Sequence, residues 1–388
     1  MLRGVAVLGI YMVNVQAFAM TNHGYANPTL EADFGAAGRA VWLFVDTFFR
    51  MKFIVIFTAL FGAGLVLTLG PDAAGGTTEK TARHGRRMAW LLVIGLIHAY
   101  GFWYGDILVP YAIAGLIVAG ARDWPLRRLV VTGVGLVLLT SVMFLAAQLS
   151  VAGLPPDAYA EAVAGQWAPP PEAIGARQEL FRAPWHERFI PLAGLAVEYE
   201  VGQLVFYMPR FLGVMMLGMA LLRSGFFHGR WPVTHLLAAA ALAPLGALAS
   251  WLGARMQMAA DFELVAMAWP QALMMLVAAP QALGYAAVVM LACRPAALAI
   301  VRAPFAAAGR MALSVYLGCT LASWLIFYGP PGLGRIGALS RSEQAETVFL
   351  VWLVALIAAP AWLAVFRFGP LEWAWRSLTY RRLQPMRR

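Results

Sequence analysis

Long apolar runs recur along the whole chain, separated by shorter polar stretches that carry most of its arginines. A membrane-spanning helix needs about 20 predominantly apolar residues. On this criterion the pattern predicts about ten spans, at roughly 4–22, 41–69, 88–104, 107–121, 128–149, 203–222, 232–254, 264–292, 303–328 and 345–366. We therefore predict an all-α, polytopic integral membrane protein with a single transmembrane domain over residues 1–388.

The runs differ in length, and two of them exceed what one bilayer requires. In 41–69 and 264–292 a tilt, a break or an interfacial lead-in would absorb the excess. The first run follows Arg3 directly, as in a signal peptide, but no clear small-residue cleavage site comes after it. We interpret it as the first helix rather than as a removed signal.

Composition agrees with a protein that lies in the lipid bilayer. Hydrophobic residues make up 61% of the chain and charged residues only 12%, with a mean hydropathy of +0.71. Soluble domains carry about a quarter charged residues. The two cysteines form no disulfide framework or metal motif, and no Walker loop suggests ATP hydrolysis.

The charge distribution predicts the topology. Of the 29 Lys and Arg residues, 18 fall in alternate loops when the N-terminus is placed inside the cell. Positive residues mark cytoplasmic loops, so both termini are predicted to be cytoplasmic and 150–202 to be a long periplasmic loop. The net charge of +10 is then a topology signal and an attraction to anionic lipid, and nucleic acid is not an expected partner.

Ionisable residues inside the apolar runs are the candidates for function, because they are costly in hydrocarbon. His98 lies in the outer half of the third predicted span, and Asp106 lies in a tight turn after it. On a continuous helix, residues eight apart differ by only about 80° in azimuth. A carboxylate beside an imidazole fixes its tautomer and suits it to act as a general base. The alternative is a histidine bonded to a neighbouring helix and a hydrated turn aspartate.

A second set of polar residues follows the sixth predicted span. Glu200, Gln203, Tyr207 and Arg210 are spaced three, four and three apart, which predicts one helical face. Such a stripe faces either a water-filled cavity, where these residues would bind substrate, or neighbouring helices, which polar groups hold together.

The second span contains Asp46, Arg50 and Lys52. Asp46 and Arg50 are four apart and can pair. Arg50 is also a candidate substrate contact, and Lys52 either binds an anionic group or extends to the outer surface. Gly62 and Gly64 are expected to permit close helix packing.

Three further residues complete the candidates from spacing alone. Asn14 in the first span and His23 just after it can line the same outer cavity. Arg310 opens the ninth span from the inside, where it either binds a phosphate or anchors the helix end.

Several motifs together resemble the YeiB family, bacterial inner-membrane proteins with a domain of unknown function. The matching stretches cover almost the full length: Arg3-Gly4 to Ile10 with Val13-Asn14, Lys52-Phe53, Leu60 to Gly64, Gly95 to His98 with Trp103, Gly105 to Leu108, Arg223 to Gly225, Gly309 to Leu313, Tyr316-Leu317 and Gly369 to Arg376. The chain lacks the short polar lead-in that usually precedes the Arg-Gly pair, and His23 is not part of the family pattern.

The YeiB family resembles the transmembrane acyltransferases, which include lysosomal heparan-glucosaminide acetyltransferase. Those enzymes transfer an acyl group from cytoplasmic acyl-CoA to a sugar across the membrane, with a membrane-embedded histidine. The resemblance implies an acyl-CoA donor here, with Arg86, Arg87 or Arg310 receiving its phosphates and Trp103 among the substrate contacts. No metal is expected.

Two functional hypotheses follow. In the first, the protein is an acyltransferase in which His98, supported by Asp106, acts on a small-molecule, sugar or lipid acceptor. In the second, it is a transporter or a lipid- or small-anion-binding protein, and the His98–Asp106 pair relays protons. Transporters often carry internal repeats, and the sequence shows no clean repeat. The acyl group, the acceptor and the oligomeric state stay open.

Overall fold

The computed structural model describes residues 1–70 and 77–388, and within them the chain is almost entirely helical. Eighteen α-helices follow one another, and the predicted all-α class is confirmed. Their bounds are α1 Leu2–Ala19, α2 Asn22–Ala26, α3 Ala36–Phe48, α4 Lys52–Leu69, α5 Thr77–Gly101, α6 Leu108–Val118, α7 Leu126–Ala152, α8 Pro156–Ala162, α9 Pro171–Arg182, α10 Trp185–Gly202, α11 Met208–Arg223, α12 Val233–Ala240, α13 Leu242–Ala259, α14 Ala268–Ala292, α15 Ala299–Arg310, α16 Ala312–Phe327, α17 Arg341–Val365 and α18 Pro370–Tyr380.

Seven helical segments in the described part of the chain are long and apolar enough to cross a membrane. They are Leu2–Ala19, Ala36–Leu69, Leu126–Ala152, Trp185–Arg223, Val233–Ala259, Ala268–Ala292 and Arg341–Val365. An eighth arises if α15 and α16, bent by 83°, form one broken span. The other two predicted spans correspond to α5 and α6, which do not meet these criteria, so the count of ten and the location of the termini stay predictions.

The predicted boundary between the long loop and the sixth span is wrong. α10 begins at Trp185 and continues through a π-helical turn, Gln203–Tyr207, directly into α11. The segment 150–202 is therefore largely helical, since it also contains α8, the π turn Val163–Trp167 and α9. Pro155-Pro156 and Pro169-Pro170-Pro171 begin helices here, which suits proline because the first helical N–H groups have no intrahelical partner.

The long second span contains a break, which is one of the three predicted ways to absorb its length. α3 ends at Phe48 and α4 begins at Lys52. Met51, between them, has a φ of +68°, a left-handed conformation that side chains rarely adopt. Such strained positions cluster at functional sites.

α1 is the central helix of the bundle, and it packs against α4, α15, α16 and α17. Close approach between α4 and α11 depends on two glycines. A Cβ on Gly62 would lie 2.1 Å from the carbonyl oxygen of Met215, and one on Gly218 would lie 1.9 Å from that of Ala59. Gly64 has nothing within 4 Å of such an atom, so the predicted packing role holds for Gly62 and is wrong for Gly64.

Candidate functional site

His98 and Asp106 form a buried pair at the junction of α5 and α6. α5 ends at Gly101, three residues after His98, and a short turn carries Asp106 back to the imidazole. Nδ1 of His98 lies 2.6 Å from Oδ1 of Asp106. The two side chains thus meet as their spacing predicted, although the continuous helix assumed in that argument does not exist.

The second carboxylate oxygen of Asp106 is also engaged. Its Oδ2 accepts the backbone N–H of Val109 at 2.7 Å, which caps the first turn of α6. The backbone carbonyl of Asp106 accepts a bond of 2.6 Å from the Gln203 side chain. These contacts fix the orientation of the carboxylate that faces His98.

Thr320 on α16 completes a hydrogen-bonded chain with this pair. Nε2 of His98 lies 3.0 Å from Oγ1 of Thr320, so both ring nitrogens have a partner. Because the Asp106 carboxylate accepts from Nδ1–H, Nε2 is the acceptor and the Thr320 hydroxyl donates to it. All three side chains are buried, with exposed fractions of 2%, 0% and 4% for His98, Asp106 and Thr320.

The sequence analysis did not identify Thr320. A signal for it exists, because Tyr316, Thr320 and Ser323 are spaced four and three apart and share one face of α16. That face meets α5 and α1: the Tyr316 ring lies 5.3 Å from the His98 ring, and Ser323 bonds to the Tyr11 hydroxyl at 2.9 Å.

A cavity of about 580 Å³ lies beside this chain of residues. Its walls come from α1, α2, α4, α7, α10, α11, α13 and α14, together with the break before α4. The polar side chains that line it are Asn14, Tyr25, Arg50, Thr58, Gln148, Glu198, Tyr199, Gln203, Tyr207, Arg210, Gln257 and Gln271. The rest of the lining is apolar, as is usual for sites that bind small molecules.

The predicted periplasmic connection supplies part of the cavity wall. Trp167, in its π turn, lines the cavity and donates its indole N–H to the carbonyl of Phe262 at 2.8 Å. The neighbouring Gln166 carbonyl lies 3.1 Å from Nδ1 of His23. His23 therefore contacts this connection and is not among the lining residues, and its predicted role in substrate binding stays a prediction.

The polar stripe of the sixth span divides between two environments. Gln203, Tyr207 and Arg210 line the cavity, whereas Glu200 does not. The stripe runs through the π turn Gln203–Tyr207, and three of its four predicted residues face the cavity, while Glu200, one turn earlier, does not. Both carboxylate oxygens of Glu200 are buried without a hydrogen-bond partner among the described residues.

Arg210 is a buried cation at the cavity wall. Its Nη1 donates to the carbonyl of Met275 at 3.0 Å, and its Nη2 has no partner among the residues that the structure describes. The side chain is 2% exposed. A guanidinium with an unused donor at a cavity is suited to bind an anionic group.

Arg50 supplies a second cation from the break between α3 and α4. Its Nη1 lies 3.1 Å from Oδ1 of Asp46, the pairing that the spacing predicted, and its guanidinium stacks over the Tyr25 ring at 5.3 Å. Lys52 is fully buried and donates to the Asp46 carbonyl at 2.7 Å. Lys52 thus neither extends to the outer surface nor lines the cavity.

Two remaining candidates lie close to the buried pair. Asn14 lines the cavity and also a small space beside Thr320, so it is the residue common to both. Trp103 stacks on Phe18 with ring centroids 4.4 Å apart and meets His98 edge-on at 6.2 Å. Trp103 packs around His98 and does not line the cavity.

The arginines predicted to receive CoA phosphates lie elsewhere. Arg86 donates to the Thr379 carbonyl at 3.1 Å, and Arg87 stacks on the Trp375 ring at 4.6 Å. Arg310, at the bend between α15 and α16, is exposed and donates to the Arg367 carbonyl at 3.3 Å. All three contact the C-terminal segment rather than the His98 pair. Within residues 1–70 and 77–388, no group of three or more His, Cys, Asp or Glu residues is arranged to hold a metal ion.

Comparison with known proteins gives the family. Residues 221–382 match the family model "Protein of unknown function (DUF418)". The full chain is similar to "Uncharacterized protein YeiB" of Escherichia coli (strain K12), with 32% identity over 99% of this chain and 96% of YeiB. The chain belongs to the YeiB-like DUF418 family. The resemblance inferred from the motifs is thereby confirmed.

Two further similar proteins are also bacterial. "Uncharacterized protein YxaH" of Bacillus subtilis (strain 168) is 27% identical over 99% of this chain and 94% of YxaH. "Uncharacterized 39.9 kDa protein in amylase 3'region" of Bacillus acidopullulyticus is 24% identical over 99% of this chain and 94% of its own length. No solved structure matches the chain significantly. The relation to acyltransferases and the location in the inner membrane stay predictions.

Proposed function

We propose that the protein is a membrane-embedded acyltransferase that moves an acyl group from acyl-CoA to an acceptor held in the cavity, within the bacterial inner membrane. The observation that carries this proposal is the buried chain Asp106–His98–Thr320. Enzymes that transfer acyl groups usually combine three groups: a nucleophile or acceptor, a base, and a group that orients the base.

Each member of the chain has a defined task. Asp106 holds His98 in the tautomer that leaves Nε2 free to accept a proton. His98 takes the proton from the acceptor hydroxyl or amine as the acceptor attacks the thioester carbonyl, and returns it to the departing CoA sulfur. The acceptor becomes acylated, and CoA leaves as a thiol. Thr320 holds the His98 ring in place through Nε2 in the resting state, and its hydroxyl bonds to the acceptor once the acceptor has taken its place at Nε2.

The acceptor is expected to carry a negative charge. Two arginines, Arg50 and Arg210, face the cavity against one carboxylate, Glu198. Apolar residues make up most of the remaining wall, so a lipid-linked or otherwise amphipathic anion fits this lining. Asn14 is the residue past which the acceptor would approach Thr320 and His98.

The test is transfer of label from acetyl-CoA and longer acyl-CoAs, catalysed by the purified full-length protein in nanodiscs made from bacterial lipid. His98→Ala should abolish transfer. Thr320→Val should lower kcat by about tenfold, because losing one hydrogen bond of about 1.4 kcal/mol corresponds to that factor. Thr320→Ser, which keeps the hydroxyl, should retain most of the rate.

A matched control for His98 is available on the same helix, α5. His84 is also buried and bonds to the Gly115 carbonyl at 3.1 Å, far from the proposed chemistry. His84→Gln should leave transfer unchanged. Full transfer activity in His98→Ala would rule out the proposed mechanism, as would equal losses in the two histidine variants.

A second candidate function is proton-coupled binding or transport of an anion, which the break between α3 and α4 favours. Discontinuous helices that meet at a substrate cavity are typical of secondary transporters. Here Met51 and Arg50 both line the cavity at such a break. Anion uptake into proteoliposomes that requires a proton gradient and His98, with no acyl transfer, would favour this alternative.

A further inference from the structure

A groove lies between α5 and α18, at the end of the bundle that the charge distribution assigns to the cytoplasm. It encloses about 630 Å³ and is lined by Arg86, Ala89, Trp90, Val93, Ser377, Leu378, Arg381, Arg382 and Leu383. It shares no lining residue with the cavity near His98. Three arginines and five apolar or aromatic residues thus meet in one surface site.

The site is built by close docking of α18 on the first turns of α5. Arg87 stacks on Trp375, whose indole N–H donates to the Arg87 carbonyl at 2.8 Å. Arg86 donates to the Thr379 carbonyl, and Arg83 stacks over the Tyr380 ring at 5.3 Å. These contacts hold the groove open between two fixed helices.

The chain reverses at the end of α18 so that two further arginines enter the groove. Arg381 has a φ of +52°, a left-handed conformation normally given to glycine or asparagine at this position. The N–H of Arg382 then bonds to the Ser377 carbonyl at 3.1 Å. Strained left-handed residues other than glycine occur more often at binding sites than elsewhere.

The apolar part of the groove continues into the hydrocarbon region. Arg86, Trp90, Val93 and Ile97 follow one face of α5, spaced four, three and four residues apart. Val93 and Ile97 are exposed on the surface of the bundle, and so is Leu383. The eleven helical steps from Arg86 to Ile97 span about 16 Å at 1.5 Å per residue, close to half the thickness of the hydrocarbon core.

We propose that this groove binds one anionic phospholipid of the cytoplasmic leaflet. Its phosphodiester lies between Arg86, Arg381 and Arg382, and an acyl chain follows Trp90, Val93 and Ile97. In the described residues, 1–70 and 77–388, no carboxylate forms an ion pair with any of these arginines. CoA offers the same phosphate chemistry, but a lipid also covers the outward-facing apolar strip, which a nucleotide leaves exposed.

The test is native mass spectrometry of the full-length protein released from detergent, after titration with phosphatidylglycerol or with phosphatidylcholine of the same acyl chains. The wild type should retain one phosphatidylglycerol in preference to phosphatidylcholine. Arg381→Gln/Arg382→Gln should weaken that retention by roughly 25-fold, because each basic residue near an anionic surface contributes roughly a fivefold factor.

The chain offers a control with the same loss of charge. Arg387→Gln/Arg388→Gln alters two exposed arginines that lie outside the groove, and it should leave phosphatidylglycerol retention unchanged. Equal losses in the two double variants would overturn the site and indicate attraction by net charge alone. Displacement of the lipid by free CoA from the wild type would overturn it in favour of a nucleotide ligand.

A third variant separates binding from folding. Val93→Ser shortens the apolar strip without changing charge or the contacts of α18, and it should weaken phosphatidylglycerol retention while the thermal unfolding of the protein stays unchanged. Unaltered retention in both Val93→Ser and Arg382→Gln would contradict the proposed position of the lipid.

Discussion

The two ends of α5 present their polar side chains in opposite ways. At one end His98 is buried, with both ring nitrogens hydrogen-bonded to groups from other segments. At the other end Arg83, Arg86 and Arg87 are only half-buried, and they bond to carbonyls or stack on aromatic rings of α18. Polar contacts away from water are stronger and depend more on geometry, whereas exposed ones are weakened by solvent and salt.

This difference separates a site suited to chemistry from a site suited to binding a charged surface. The His98 end has preorganised groups whose loss leaves buried partners unsatisfied. The arginine end relies on several similar charges, each of which contributes modestly. Variants at the two ends should therefore differ in magnitude and in salt dependence.

Among the variants that keep the His98 imidazole, the largest effect is expected for Asp106→Asn. The amide cannot stabilise the imidazolium that forms as His98 takes a proton, so the rate of acyl transfer should fall by about 10²–10⁴-fold, the usual contribution of general-base catalysis. The measurement is kcat for label transfer from acyl-CoA. Asp123→Asn, at an exposed aspartate paired with Arg122, is the control and should keep its activity. A change in kcat of less than a few-fold in Asp106→Asn would mean that the His98 end of α5 is no more sensitive than its arginine end.

The next effect concerns the scaffold that holds the cavity together. Gly62→Ala places a methyl group against the Met215 carbonyl, which forces α4 and α11 apart. We expect a loss of about 1–3 kcal/mol in the free energy of unfolding, as is typical of overpacked sites. Thermal unfolding in detergent measures it. Gly64→Ala, two residues along the same helix, meets no neighbour and should be neutral or slightly stabilising.

Arg210→Gln tests whether the cavity binds anions. Removing the buried guanidinium should weaken binding of an alkyl phosphate by roughly 10- to 150-fold, since a hydrogen bond to a charged group contributes about 1.5–3 kcal/mol. Calorimetric titration in a non-ionic detergent gives the affinity. The exposed Arg255, which stacks on Trp251, provides a charge-matched control in Arg255→Gln. Similar affinity in Arg210→Gln and wild type would argue against an anionic ligand.

The smallest effect is expected at the other end of α5. Arg87→Gln removes one stacking contact with Trp375, which costs about 0.5–1 kcal/mol at such a site. The indole keeps its bond to the Arg87 carbonyl, so α18 should stay docked. The shift in unfolding temperature should be small and should shrink at high salt. A loss as large as that of Gly62→Ala would show that this end is as tightly constrained as the other.

Much of the architecture followed from local sequence pattern. The apolar runs located the long helices, because the thickness of the bilayer dictates their length. The contact between His98 and Asp106 could also be predicted from the sequence, because only eight residues and one short turn separate the two side chains. The pairing of Asp46 with Arg50 likewise needed only the pitch of a helix.

Other features depended on contacts between distant segments. Thr320 lies 222 residues from His98, and periodicity shows only that it shares a face with Tyr316 and Ser323, not which helix that face meets. Gln203, Tyr207 and Arg210 line the cavity and Glu200 does not, a division that depends on how the neighbouring helices pack and not on the spacing of the four residues.

The buried cations also show that charge pattern alone does not locate side chains in the folded protein. Arg188 lies within the predicted periplasmic loop 150–202, yet it is almost fully buried between the rings of Trp324 and Tyr328. Arg341, at the start of α17, is likewise almost fully buried and donates to the carbonyl of Pro28. Sequence pattern determined the helices and the local His98–Asp106 pair, since these depend on neighbours along the chain. Only the tertiary structure determined the cavity, Thr320 and the arginine groove, because the packing of distant helices decides which polar groups lose their water and which partners replace it.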